Sequence, residues 1–140
     1  MTARVLVDAG PLVAIFSHAD AHHSTCVGQL AEIFGPLLTC WPVITEAAYL
    51  LRRHPGNVQN LLTSIQDGSL RLLALEADAI PWIARFLSTY RSLGADLADA
   101  ALVFLAEREA IDTVFTLDHR DFSVYRVHRS RKLRILPAIH

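Results

Sequence analysis

The chain has few of the residues that mark several protein classes. Its two cysteines, Cys26 and Cys40, stand in neither a CxxC motif nor metal-ligand spacing with histidine. That pattern argues against a disulfide scaffold or a zinc site, so both are expected to be buried, reduced thiols. Lys132 is the sole lysine, and arginine supplies the other positive side-chain charge. No apolar run approaches the roughly 18 residues of a membrane-spanning helix.

The composition is that of a folded protein. Hydrophobic residues make up 52% of the 140 residues and charged residues 19%, which excludes a disordered chain. The net charge of −1 excludes a globally basic nucleic-acid-binding protein but leaves room for a local basic patch. Because the chain is rich in apolar residues, we expect a partner to cover part of its surface, with a homodimer as one form. The residues before Val5 are too few for a signal peptide, so we expect a cytoplasmic protein without membrane association.

Short apolar runs alternate with helical patterns, which is typical of an α/β fold with a parallel sheet. The length predicts a single domain over residues 1–140. The expected strands are Val5–Val7, Leu37–Cys40, Leu70–Leu75, Thr113–Thr116 and Leu133–Leu136. The expected helices are Leu12–Phe16 with Pro11 in its first turn, Thr25–Phe34, Val43–Arg53, Val58–Gln66, Ala79–Leu93 and Leu97–Ala110.

Carboxylates follow predicted strands or stand near the start of predicted helices. Asp8 directly follows the first strand, and Asp118 lies just past the fourth. Asp96 and Asp99 stand at the start of the helix before that strand, and Glu46 lies early in another helix. Ligands bind outside the carboxyl ends of parallel strands, and helix starts face the same edge. We therefore expect these acids to converge there.

Converging acids without lysines would repel one another unless a cation is bound. Carboxylate oxygens without His or Cys suit Mg²⁺ or Mn²⁺, which can activate water for attack on a phosphodiester. Each acid also has a purely structural interpretation. Asp96 and Asp99 can serve as a helix N-cap and a first-turn acid, and Asp118 and Asp121 as turn residues. Asp8 is hardest to explain in that way, because an ionised group beside Val-Leu-Val needs partners.

Four segments, taken together and in order, resemble the PIN domain family, in particular the VapC-type ribonuclease toxins of toxin–antitoxin pairs. They are Val5–Leu12, Val43–Ala47, Asp96–Ala100 and Phe115–Phe122. Each segment alone is a weak motif, and the resemblance extends from Val5 to about Leu136. One departure is Gly10, where many members carry a polar Ser or Asn.

The resemblance implies a three-layer α/β/α sandwich with a parallel sheet and an acidic metal site. It implies a Mg²⁺- or Mn²⁺-dependent endoribonuclease, a cognate antitoxin as a protein partner and a homodimer. By position in the motifs, the catalytic and metal-binding acids would be Asp8, Glu46, Asp99 and Asp118, with Asp96 as a further metal ligand. Thr116 matches a commonly polar position, where it would bond a carboxylate or a water, or contact substrate.

The C-terminal segment 119–134 is strongly basic, with six Arg or Lys residues against one acid. Arg120, Arg126 and Arg129 are candidate contacts to RNA phosphates, and Tyr125 and His128 could stack on bases. The same charge is also compatible with a solvated loop or with docking of an acidic partner peptide. Both tryptophans, Trp41 and Trp82, are expected to pack.

The favoured function is thus a metal-dependent endoribonuclease that hydrolyses RNA by metal-activated water. One alternative is a non-catalytic module that keeps the acidic pocket to bind metal or RNA. A less favoured alternative is a domain in which Asp8 is the phosphorylated nucleophile. Gly10 stands where phosphatases of that type carry a second Asp, and Lys132 is poorly placed for the lysine of receiver domains.

Overall fold

A computed structural model describes residues 4–138 and has a central sheet of five parallel strands. The sheet order is β3-β2-β1-β4-β7. Its strands are β1 (Val5–Val7), β2 (Leu37–Thr39), β3 (Leu70–Leu72), β4 (Thr113–Phe115) and β7 (Arg134–Leu136). A separate antiparallel hairpin pairs β5 (Arg126–Val127) with β6 (Arg131–Lys132). The predicted α/β fold with a parallel sheet is confirmed.

Within residues 4–138, seven helices connect and flank the strands. They are α1 (Ala9–Phe16), α2 (His23–Ala31), α3 (Trp41–Leu50), α4 (Pro55–Gln66), α5 (Ile80–Thr89), α6 (Leu97–Arg108) and α7 (His119–Phe122). Two short 3₁₀ turns, Ala77–Ala79 and Arg91–Leu93, flank α5. Successive strand residues point to opposite faces, and all three residues of β1, β2 and β4 are buried. Helices therefore cover both faces, which gives the predicted three-layer α/β/α sandwich.

The strand order predicts where along the sheet a ligand site lies. From β1 the chain builds β2 and then β3 on one side, and β4 lies on the other side of β1. The order reverses between β1 and β4, and ligands of open parallel sheets bind outside the carboxyl ends of strands at such a reversal. The backbone amide of Asp8 donates to the carbonyl of Phe115, at 2.9 Å, and ties the two strand ends together.

Several predicted boundaries differ from those of the structure. Helix α1 begins at Ala9, before Pro11, because Asp8 caps it directly after the strand. The strand predicted over Leu70–Leu75 ends at Leu72, although the amide of Leu73 still donates to the carbonyl of Thr39 at 2.8 Å. The helix predicted over Ala79–Leu93 is interrupted after Thr89.

The basic segment 119–134 forms regular structure, while all its Arg and Lys side chains except Arg126 are exposed to solvent. It contains α7 and the β5–β6 hairpin, both packed through buried side chains such as Phe122 and Val127. The expectation that Trp41 packs is wrong: Trp41 is the first residue of α3 and is 61% exposed. Trp82 does pack, and its indole nitrogen donates to Glu107 at 2.8 Å. Within residues 4–138, no helix has the length and apolar character needed to cross a membrane.

Candidate active site

A cleft of about 390 Å³ opens at the carboxyl ends of β1 and β4. All five acids that the sequence analysis singled out line it: Asp8, Glu46, Asp96, Asp99 and Asp118. A sixth acid, Asp121, lines it as well. The structure thus brings together Asp8 and Asp118, which are 110 positions apart in the chain, and this is the convergence predicted from the strand ends.

Asp8 lies deepest in the cleft, where its side chain is fixed by two hydrogen bonds. One carboxylate oxygen accepts from the backbone amide of Ala9 at 2.8 Å and the other from the hydroxyl of Thr116 at 2.9 Å. Burial raises the pKa of Asp8, against the lowering effect of these hydrogen bonds, and the charges of Asp96 and Asp118 raise it further. An ionised Asp8 therefore gains from a nearby cation.

Asp96 and Asp99 belong to the same helix start and play different parts. Asp96 is the N-cap of α6, and one of its carboxylate oxygens accepts from the backbone amide of Asp99 at 2.9 Å. Asp99 is half-buried and accepts a hydrogen bond from the hydroxyl of Tyr125 at 2.7 Å. Desolvation, followed by the charges of neighbouring acids, raises the pKa of Asp99 to about 7. The capping interpretation of Asp96 and its place in the cleft are both true.

Asp118 and Asp121 form a similar pair at α7. Asp118 caps α7 and accepts from the amide of Asp121 at 3.2 Å, while its own amide donates to the hydroxyl of Thr116 at 3.0 Å. Desolvation, and then the charge of Asp118, raises the pKa of Asp121. Sequence reasoning treated Asp121 as a turn residue and left it out of the site. The signal that could have found it is its spacing, because a residue three positions after an N-cap lies over the same helix start.

Glu46 reaches the cleft from a different element. It lies in the middle of α3, which packs against α6, and its side chain is exposed on the side of the cleft. Desolvation raises the pKa of Glu46, and the charges of Asp96 and Asp8 add to the effect. Its carboxylate therefore belongs to the same electrostatic cluster as the acids of the strand ends.

The donor set of the cleft fits a hard divalent cation. Carboxylate oxygens of Asp99, Asp118 and Asp121 lie within 4.8 Å of one another, which is close enough to share one ion. In the part of the chain that the structure describes, the sole ion pair joins Arg108 to Glu109, so no cleft acid is ion-paired. The charge of Arg120 acts to lower the pKa of Asp121, against the larger effect of desolvation, without forming such a pair. Oxygen-only ligands of this kind suit Mg²⁺ or Mn²⁺.

Two hydroxyl groups, one of Tyr125 and one of Thr116, hold the acids in place. Tyr125 is fully buried against Phe86, Tyr90 and Phe122, so the expectation that it stacks on bases is wrong. Its role is to support Asp99. Thr116 is also fully buried and bonded to Asp8, so it positions that carboxylate rather than touching substrate.

The three arginines predicted to contact substrate have different surroundings. Arg120, in α7, and Arg129, in the hairpin turn, are exposed. Arg126 is half-buried, and one of its terminal nitrogens donates to the carbonyls of Ser123 and Val124 at 2.7 Å and of Tyr125 at 3.1 Å. Arg126 therefore acts first as a clamp on the end of α7, which the sequence did not reveal.

Comparison with known proteins gives consistent results. The PIN domain family model matches residues 5–127. The chain is 30% identical over 138 residues to Ribonuclease VapC26 of Mycobacterium tuberculosis, which covers 95% of this chain and all of that protein.

Solved structures share the fold at lower identity. The crystal structure of Mycobacterium tuberculosis VapC20, a sarcin-ricin loop cleaving toxin, superimposes with a TM-score of 0.73 at 19% identity, covering 83% of this chain and 91% of that one. The Rickettsia felis VapBC2 structure, bound to a DNA fragment from its promoter, gives 0.59 at 14% identity, covering 94% and 96%.

Proposed function

Because the chain belongs to the PIN domain family, we propose that it is an endoribonuclease that hydrolyses RNA phosphodiester bonds in the acidic cleft. The observation that carries the proposal is the set of six carboxylates in one cleft at the strand reversal, none of which forms an ion pair with a cation of the described chain. The relationship to Ribonuclease VapC26 supports RNA as the substrate.

We propose Mg²⁺ or Mn²⁺ as the cofactor. Asp99, Asp118 and Asp121 are the first candidates to hold it, and Asp8, Glu46 and Asp96 complete the acidic set. When bound, such a cation lowers the pKa of water and stabilises negative charge on phosphodiester oxygens. Asp8, Asp99 and Asp118 are the acids we assign to catalysis together with Glu46.

The chain's own residues fix this arrangement before substrate arrives. Thr116 holds Asp8 and the backbone of Asp118, and Tyr125 holds Asp99. Exposed arginines, Arg120 among them, would attract phosphates toward a cleft that would otherwise repel RNA. The mechanism needs no Ser, Cys or His nucleophile, and the expected products carry 5′-phosphate and 3′-hydroxyl ends.

We further propose that the protein is the toxin of a toxin–antitoxin pair, with a cognate antitoxin as partner and the cytoplasm as its place of action. Its relationship to a VapC ribonuclease supports this role. We also propose a homodimer. The helices α3 and α6 pack together and expose Trp41, Tyr49, Leu50 and Leu97 by more than half, an apolar surface that a second copy can cover.

The test is cleavage of a panel of structured and single-stranded RNAs with Mg²⁺ or Mn²⁺, with and without chelator. We expect cleavage that chelator abolishes and that Asp8→Asn lowers by at least about 100-fold, since even the partners of metal ligands cost 10–100-fold. The matched control is Asp78→Asn, an exposed acid outside the cleft, which should retain full activity. Chelator-insensitive cleavage, or full activity of Asp8→Asn, would contradict the proposal.

The alternative of a non-catalytic module gives a different result. It predicts Mn²⁺ binding to the wild-type protein without cleavage of any RNA in the panel. The alternative with Asp8 as phosphorylated nucleophile is disfavoured by its surroundings, because both carboxylate oxygens already accept hydrogen bonds and Lys132 lies on the hairpin rather than in the cleft.

A further inference from the structure

The β5–β6 hairpin, residues 126–132, is a basic element that contains no acid of its own. The side chains of Arg129, Arg131 and Lys132 are exposed. Among residues 4–138 none of them forms an ion pair. No Asp or Glu occurs after residue 121 in the sequence. The hairpin therefore presents a concentrated positive charge that no ion pair of the described residues neutralises.

Glu107 fixes this hairpin to the helix that carries Asp99. One carboxylate oxygen of Glu107 accepts from the backbone amide of His128 at 2.9 Å, and the other accepts from the indole of Trp82 at 2.8 Å. The start of the hairpin is fixed as well, because the neighbouring Tyr125 bonds Asp99. The basic element is thus held at its start and at its turn.

The hairpin lies within reach of RNA bound in the cleft. Glu107 stands eight residues after Asp99 on α6, a separation of about 12 Å along the helix at 1.5 Å per residue. Since Tyr125 contacts Asp99 and His128 contacts Glu107, the turn lies about that distance from Asp99, in the direction of the amino ends of the strands. A few nucleotides, at roughly 3.4 Å each when stacked, span this gap.

In the turn of the hairpin, Arg129 has a positive φ, a conformation that glycine usually adopts. His128 and Arg129 have φ values of 49° and 77°, in the left-handed region that costs energy for side chains with a Cβ. Such strain in a short turn is commonly tied to a functional role. Here the residue that bears it, Arg129, is the exposed cation at the tip of the hairpin.

We propose that the β5–β6 hairpin binds the phosphate backbone of single-stranded RNA beside the cleft. Arg129, Arg131 and Lys132 are the phosphate contacts, and Glu107 is a positioning residue. Arginine forks match phosphate geometry, which favours RNA over a purely hydrophobic partner. This inference rests on the proposed ribonuclease function, since it assigns that site its substrate-binding surface.

The test measures binding without cleavage. A fluorescein-labelled 20-nucleotide oligo(U) RNA is titrated with the full chain in chelator, and its anisotropy is followed over a range of salt concentrations. The variant Arg129→Gln/Arg131→Gln/Lys132→Gln is compared with Arg52→Gln/Arg53→Gln/Arg71→Gln, which removes the same charge from the end of α3 and from β3. Circular dichroism melts confirm that each variant folds.

We expect the hairpin variant to bind at least about tenfold more weakly and the slope of log affinity against log salt to fall by about 2, at 0.7 per lost phosphate contact for single strands. The control should bind close to wild type. We also expect Glu107→Ala to weaken binding even though it removes a negative charge. A competing poly-Glu peptide should not displace the RNA from the hairpin at equal concentration.

Three results would overturn the inference: equal loss in both triple variants, unchanged binding in the hairpin variant, or stronger binding by Glu107→Ala. Displacement of RNA by poly-Glu would favour an acidic peptide as the occupant. Hairpin-dependent binding by a protein that cleaves no RNA would support this inference and contradict the proposed function, so the two can fail separately.

Discussion

The two edges of the sheet carry cavities of different size and chemistry. At the amino ends of the strands lies a groove of about 590 Å³, bordered by Val5, Thr113 and Arg134 and by Glu32 and Phe34 near the end of α2. At the carboxyl ends lies the smaller cleft of about 390 Å³ with six acids. The larger groove mixes one acid, one arginine and apolar side chains. The clustering of carboxylates, rather than the volume of the cavity, therefore marks the candidate active site.

Removing one acid at each edge of the sheet should give the largest difference between the two cavities. We expect Asp118→Asn to lower RNA cleavage by at least about 100-fold. Loss of a residue that only orients a metal ligand lowers activity about 10–100-fold, and loss of a ligand should lower it at least as much. We expect Glu32→Gln, at the opposite edge, to leave cleavage within twofold of wild type. Initial rates at saturating Mn²⁺ provide the measurement. A large loss from Glu32→Gln would move the site to the larger groove.

The next prediction concerns the contribution of Asp121 to metal binding in the cleft. Its oxygens approach those of Asp99 and Asp118, so Asp121→Asn should weaken Mn²⁺ affinity by about tenfold or more. Asp112→Asn, an exposed acid just before β4 on the side away from the cleft, is the control. Isothermal titration with Mn²⁺ measures both. Wild-type affinity in Asp121→Asn would restrict the metal set to the acids that the sequence predicted.

The buried hydroxyl of Tyr125 should have a smaller but measurable effect. Tyr125→Phe removes the hydrogen bond to Asp99 while keeping the aromatic packing, so we expect about tenfold weaker Mn²⁺ binding with a nearly unchanged melting temperature. Tyr90→Phe is the matched control, because the Tyr90 hydroxyl accepts from the Arg126 amide and touches no acid. Equal effects of the two variants would show that packing alone, and not support of Asp99, explains the loss.

The cleft acids should also make the stability of the metal-free protein depend on pH. The pKa of Asp99 is about 7 in the folded protein against an ordinary value of 3.8. The folded state therefore holds a proton that the unfolded state releases, and the free energy of unfolding of the metal-free protein should fall as the pH rises from about 4 to about 7. The raised pKa values of Asp8 and Glu46 act in the same direction.

Urea unfolding in chelator at pH 5 and pH 8 measures this change. Asp99→Asn should reduce the fall, because it removes the group whose pKa shifts most clearly. Mn²⁺ should stabilise the protein more at pH 8 than at pH 5, since the cation binds the ionised carboxylates. Stability that rises between these pH values without metal would contradict the electrostatic description of the cleft.

Much of the fold could be predicted because its signals are local and strong. The apolar runs at Val5–Val7 and Thr113–Phe115 are buried on both faces, and such runs are typical of parallel strands. Because the carboxyl ends of parallel strands lie at the same edge of a sheet, the convergence of Asp8 and Asp118 after those strands could also be predicted. In contrast, the hairpin between Arg126 and Lys132 has strands of two residues and a turn without glycine, so it carries no pattern that sequence reasoning recognises.

The supporting contacts of the site depend on tertiary packing and were not visible in the sequence. Tyr125 is 26 residues from Asp99, and nothing local distinguishes a buried tyrosine that donates to a carboxylate from an exposed one that stacks on bases. Arg126 likewise looked like a free cation until its carbonyl partners were known. Sequence reasoning therefore located the acids but misassigned residues whose role depends on which neighbour they meet.

The most direct measurement is anomalous diffraction from crystals of the protein grown with Mn²⁺. We expect an anomalous peak in the cleft, from a Mn²⁺ ion bound by oxygens of Asp99, Asp118 and at least one further acid of the six. We expect no peak in the groove at the opposite edge. Crystals that hold Mn²⁺ only outside the cleft, or that show the acids neutralised by a protein cation instead, would contradict this expectation.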